Sequence, residues 1–172
     1  MRASMFSKLQ PGMPALVAIL VGGVVVPSLS FSSALAQERT FTTLLAGHQE
    51  VPPTDSQATG TAQFDVTGED SISYTVNATD IQAVTAGHIH SGGLDENGPV
   101  VVTLFNYDSP QDDVSEGGTI TEDNLEGPMA GSQLSDLIDA LNNGQAYVNI
   151  HTEQNPDGEI RGLIVIAGRG AG

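Results

Sequence analysis

Two stretches of strict alternation around a short turn constrain this chain more than any other feature. In residues 60–66, Gly60, Ala62, Phe64 and Val66 alternate with Thr61, Gln63 and Asp65. In residues 72–78, Ile72, Tyr74, Val76 and Ala78 alternate with Ser73, Thr75 and Asn77. A period of two puts one set on a buried face and the other in water, and Gly68-Glu69-Asp70 between them marks a hairpin. Residues 41–45 form an earlier strand that Pro52-Pro53 halts, and residues 99–105 are an apolar run expected to be buried more completely. Residues 147–152 and 159–166 complete the set, joined by Gln154-Asn155-Pro156-Asp157-Gly158. Residues 108–131 are acidic and glycine-rich, with one short strand expected near 119–121. A helix is expected near 133–142, where Leu134, Leu137, Ile138 and Leu141 form one stripe, with Ser132 as N-cap and Gly144 at the stop. Many short strands and one helix predict an all-β antiparallel sandwich or barrel.

The N-terminus follows a different logic. Arg2 and Lys8 precede an apolar run over 15–26, and Ala34-Leu35-Ala36 offers small residues for cleavage. That order predicts a signal peptide over 1–36, cut after Ala36, and a single domain over 37–172. Export to a secreted, periplasmic or cell-surface location follows. The apolar run is too short to span a bilayer, so membrane insertion is not expected. An exported chain can form disulfides, yet this one has no cysteine, so packing and the sheet ladder must hold it.

Beyond residue 36 the only basic side chains are Arg39, Arg161 and Arg169, against all 21 acidic residues of the chain. Such a surface repels nucleic acid and anionic lipid and attracts cations, and its self-repulsion weakens as salt is added.

Chemistry concentrates on histidine. On a strand, His88 and His90 point the same way, with Cα atoms roughly 6–7 Å apart, while Ile89 points to the other face. Val148 and Ile150 claim the core, so His151 shares a face with Tyr147 and Asn149. Apolar residues occupy both registers of residues 160–164, and Arg161 joins the histidine face only if Ile160, Ile164 and Ile166 turn inward. If the two histidine strands are neighbours, three imidazoles meet, a ligand set that suits copper or zinc. Glu153, Asn155, Asp157 and Gly158 echo the start of a calcium loop, but Ile164 stands where the closing glutamate belongs, so this segment is read as a turn. Asp95-Glu96-Asn97-Gly98 is read the same way, and calcium ranks behind copper and zinc. Asn77-Ala78-Thr79 is a glycosylation sequon. Glu50, before the two prolines, is assigned a structural role at a strand end.

Several of these segments together resemble the CHRD (chordin-type) domain. They are Gly47-His48-Gln49-Glu50-Val51-Pro52-Pro53, Ala58-Thr59-Gly60, Ala86-Gly87-His88-Ile89-His90, Gly98-Pro99-Val100-Val101, Tyr147-Val148-Asn149-Ile150-His151-Thr152 and Pro156-Asp157-Gly158-Glu159-Ile160-Arg161-Gly162. The resemblance implies an all-β, Greek-key, immunoglobulin-like barrel but no established activity. The domain is named for an extracellular antagonist of growth factors. Together with the histidine set this makes an exported binding module, with a metal ion and an extracellular protein as partners, the leading expectation. His48 departs from the family pattern and is not counted as a ligand. A fainter likeness to copper/zinc superoxide dismutase implies metal ligands at His88, His90 and His151 and an anion-guiding role for Arg161. The bridging histidine, zinc loop and disulfide of those enzymes have no counterpart here. A binding module, a copper-dependent redox enzyme and a structural surface or matrix protein are thus the three expected classes.

Overall fold

A computed structural model describes residues 39–68 and 70–168. The expected signal peptide over 1–36 lies outside the described residues, as does Arg169. The strands are β1 (Arg39–Ala46), β2 (Thr59–Val66), β3 (Ile72–Thr79), β4 (Val84–Ser91), β5 (Val100–Gln111), β6 (Val114–Ile120), β7 (Ala146–Thr152), β8 (Ile160–Leu163) and β9 (Val165–Ile166). One helix, α1 (Leu134–Asn142), lies between β6 and β7.

All ladders are antiparallel, in the order β5-β4-β7-β8-β1-β2-β3-β6, with β9 also on β1. The alternating segments pair residue for residue, Gly60 with Ala78 through Val66 with Ile72. The edge strands β5 and β6 follow one another in the chain across Asp112-Asp113. The Tyr74 hydroxyl on β3 donates to the Leu104 carbonyl on β5, and Tyr107 donates to Glu116 at 2.9 Å. The sheet is therefore a nearly closed barrel. Strand β7 returns from the β6 side to lie beside β4, which makes β4–β7 a Greek key.

Inside lie Phe41, Leu45, Phe64, Ile72 and Val76 from one half and Ile89, Val148, Ile150 and Ile160 from the other. Each large apolar side chain fully buried here contributes about 1.5–3 kcal/mol. All four stripe residues of α1 join this core. The helix starts one residue later than expected. Gln133, not Ser132, is the N-cap, and Asp136 Oδ2 accepts its backbone N–H at 3.1 Å. The stop falls where expected: Gly144 has φ 64°, and Gln145 N–H donates to the Ala140 carbonyl at 2.9 Å, the long bond of a Schellman turn.

Two expectations change. Strand β6 begins at Val114, well before 119, because β3 supplies a partner for backbone that its own glycines leave without pattern. The strand expected over 159–166 is broken: Ile160–Leu163 pairs with β7, whereas Val165–Ile166 pairs with β1. The apolar residues in both registers reflect this switch, since the chain changes neighbours at buried Ile164.

Candidate metal centre

Strands β4 and β7 are hydrogen-bonded neighbours. His88 lies opposite Asn149, His90 opposite Tyr147 and Ala86 opposite His151. This register puts Ile89, Val148 and Ile150 in the core and all three histidines on the other face. Against β5, strand β4 shifts register between Gly87 and His88 and again between Ile89 and His90. Such irregularities re-aim side chains. Ring centroids are 4.9 Å apart for His88 and His151, 5.6 Å for His90 and His151, and 5.7 Å for His88 and His90.

One nitrogen from each ring lies within 4.8 Å of the others. Metal–nitrogen bonds of about 2.0–2.1 Å place ligand nitrogens roughly 3.3–3.6 Å apart at tetrahedral or trigonal angles.

The nitrogens that face inward are identified by their neighbours. His90 Nδ1 contacts the Gly98 carbonyl at 2.9 Å, and His151 Nδ1 contacts the Pro156 carbonyl at 3.0 Å. A carbonyl accepts only, so each Nδ1 carries the proton and each Nε2 presents a lone pair. His90 Nε2, His151 Nε2 and His88 Nδ1 are buried without any partner. Two orphaned acceptors, with a third partnerless ring nitrogen on His88, are costly in one place unless something binds them. The three rings form a group that could hold a metal ion.

Electrostatics keep these rings neutral. Burial pushes His88 down to about 4, and its neighbours His151 and His90 add to the effect, while Glu126 opposes it. His90 is lowered by burial; its bond to Gly98 opposes this and Arg161 adds to it. His151 is lowered by burial against the opposing bond to Pro156, with a further lowering from His90. Neutral imidazole is the metal-binding form.

The polar face of this half of the barrel is not open to water. His90 and His151 are each 8% exposed, and Arg161 only 1%. Loops over 47–53, 92–98 and 153–158 roof it. Ile160 and Ile164 do turn inward, and Arg161 lies on the histidine side. Its guanidinium stacks on Tyr147 at 3.5 Å, and the opposite stacking partner of Tyr147 is His90, at 5.0 Å and 12°. Arg161 also donates to Asn97 Oδ1 (3.0 Å), the Gly93 carbonyl (2.6 Å) and the Glu96 carbonyl (2.8 Å). The Pro156 loop is held by Glu159, whose carboxylate accepts from Thr152, Ser56 and Asn155. Burial raises the Glu159 pKa, but these three bonds together bring it below its ordinary value.

Beside the histidines sits a polar pair to which the sequence assigned little. Asn149 Nδ2 donates to Glu50 Oε2 at 3.4 Å. Burial pushes Glu50 up to about 7 despite the opposing Arg161 charge and the Asn149 bond. Glu50 is thus near half-protonated at neutral pH. The Tyr147 and Asn149 positions on the His151 face were the available clue; nothing in residues 47–53 announced that Glu50 folds over them.

The remaining candidates are elsewhere. His48 is exposed on a single 3₁₀ turn, outside the cluster. Asn77 is exposed on β3, where its side chain accepts from Ser115 at 3.2 Å. The segments over 95–98 and 153–158 are turns, and their Asn97 and Asn155 side chains are engaged by the protein itself.

A comparison with curated proteins returns no match. The family model described as the CHRD domain matches residues 41–164, from β1 to the residue after β8. That span holds the three histidines, Tyr147, Asn149, Arg161 and Glu50. This chain belongs to the CHRD-domain family.

Proposed function

We propose that this protein is an exported binding module whose ligand is a copper or zinc ion, held by His88 Nδ1, His90 Nε2 and His151 Nε2. CHRD-family membership supports a binding module, and the histidine cluster is compatible with a metal ion. The observation that carries the reading is the convergence of three buried ring nitrogens that have no partner.

An ion held by these three histidines would supply Lewis acidity and, for copper, one-electron redox chemistry. The protein's own contribution is orientation and exclusion of water. The Gly98 and Pro156 carbonyls fix two tautomers, Tyr147 covers one side of His90, and burial holds the Glu50 carboxyl above the ordinary carboxylate range beside them. His88 is the ring left partly exposed, so an incoming ligand reaches the centre from its side.

Export rests on the leader-like composition of residues 1–36, and a further extracellular protein partner on the chordin-type resemblance. Among the described residues, no helix is long and apolar enough to cross a membrane. The dismutase-type alternative asks Arg161 to guide an anion, but that side chain is almost wholly buried and committed to three acceptors. Binding is therefore the reading adopted. Calorimetric titration with copper and zinc tests it, with one site expected per chain and no heat above dilution as the contrary result. N-terminal sequencing of protein recovered outside the producing cell tests export, with Gln37 expected as the first residue.

A further inference from the structure

The geometry points to Arg161 as the residue that positions His90 for its ligand, by clamping the 92–98 loop whose Gly98 carbonyl fixes the imidazole. This rests on the three-histidine reading and assigns that site a positioning residue on a strand that carries none of its ligands.

The connections are continuous. Arg161 Nη2 donates to the Gly93 and Glu96 carbonyls, and Nη1 donates to Asn97 Oδ1. Asn97 in turn donates to the Val51 carbonyl at 2.6 Å, which ties the two roofing loops together. The next residue, Gly98, contacts the site twice: its N–H donates to the Tyr147 hydroxyl at 3.1 Å, and its carbonyl accepts from His90 Nδ1. Tyr147 lies between the guanidinium and the His90 ring. Arg161 therefore bears on His90 by two routes, the loop carbonyl and the stack. Gly98 packs so closely on β4 that a side chain is excluded, since a Cβ there would lie 1.6 Å from the Ser91 carbonyl oxygen.

Only a planar fork with several donors can serve three acceptors and stack at once. Lysine keeps the charge, but its three donors radiate from one nitrogen and it has no planar face to stack on Tyr147. When such outer partners of a metal-binding histidine are removed, affinity typically falls about 10–100-fold.

The test compares wild type with Arg161→Gln, Arg161→Lys and Asn97→Ala. Two readouts apply: copper(II) affinity, and the His90 tautomer from two-bond ¹H–¹⁵N NMR of the metal-free protein. Both Arg161 variants should lose about 10–100-fold in affinity, and His90 should change from one Nδ1–H tautomer to a mixture. Asn97 is exposed, so Asn97→Ala will fold even if the Arg161 variants do not; it should move both readouts the same way by a smaller amount. Unchanged affinity and tautomer in the folded variants overturn the clamp. So does a loss of affinity with the tautomer intact, or full activity of Arg161→Lys in both readouts. A wild type that binds neither copper nor zinc refutes the three-histidine reading instead, and the tautomer measurement still decides the clamp.

Discussion

The rings of His88 and His151 lie 4.9 Å apart, centroid to centroid, although one is on β4 and the other on β7. Their approach depends on the β4–β7 register, which sets Ala86 opposite His151 and leaves that ring free to lean toward His88. A ligand that binds only the folded protein stabilises it, by about 2.7 kcal/mol at a hundredfold excess over Kd. Thermal melting with and without zinc or copper should show an increase of several degrees in wild type. His88→Ala and His151→Ala should abolish that increase, whereas His48→Ala should keep it.

The site also sets a pH profile in the metal-free protein. All three histidines have folded pKa values below the ordinary 6.5, His88 at about 4. Their contribution is present in full above pH 6.5 and is lost as pH falls below it, because the unfolded chain takes up protons that the folded one refuses. Glu50 acts with the opposite sign. Its folded value of about 7 lies above the ordinary 4.5, so its contribution is complete below pH 4.5 and is lost as pH rises through 7. Between pH 4.5 and 6.5 the two effects oppose each other, so Glu50→Gln isolates the histidines: denaturant titrations of that variant should show stability rising from pH 4.5 to 6.5 and level above it. A flat profile below pH 6.5 contradicts the buried neutral cluster.

The seam between β8 and β1 depends on a glycine. At Gly162 on β8, a Cβ would lie 2.2 Å from Thr43 Oγ1 and 2.3 Å from the Leu44 carbonyl oxygen, both on β1. The seam between these strands has a single residue pair, Ala46 with Arg161, so little else holds it. Gly162→Ala should cost about 1–3 kcal/mol through overpacking, measured as a lower denaturation midpoint. Gly68→Ala, with open space at its Cβ, should strain only its own turn backbone and leave the seam intact.

Charge predicts a salt response. The chain carries a formal net charge of −16, and screening shortens its self-repulsion from a reach of about 30 Å at 0.01 M to about 3 Å at 1 M. The melting temperature should rise with sodium chloride over that range. Indifference to salt would show that the acidic groups are too dispersed to repel one another.

How much of this was legible in the sequence follows from what alternation encodes. Residues 60–66 and 72–78 could be paired because one face is apolar and the other polar. The same logic put Ile89, Val148 and Ile150 inside and the histidines opposite. It could not foresee the neighbour relation of β4 and β7, since register between distant strands is fixed by the whole barrel. Alternation also equates a polar face with a wet one, and here that fails: Asn149, Arg161 and Glu50 are buried under loops whose hydrogen bonds leave no periodic trace. Strand β6 was seen only in part because Gly117 and Gly118 interrupt its pattern. The face of Arg161 stayed open because apolar residues occupy both registers of residues 160–164, and its engagement with Gly93, Glu96 and Asn97 lies in backbone carbonyls and one amide that no motif marks.

If three imidazoles from two strands share one ion, X-ray absorption of the zinc-loaded protein will show three imidazole nitrogens at about 2.0–2.1 Å from one zinc per chain, and His151→Ala will lose that signature. An oxygen-only shell, or a wild-type spectrum retained after His151 is removed, would contradict it.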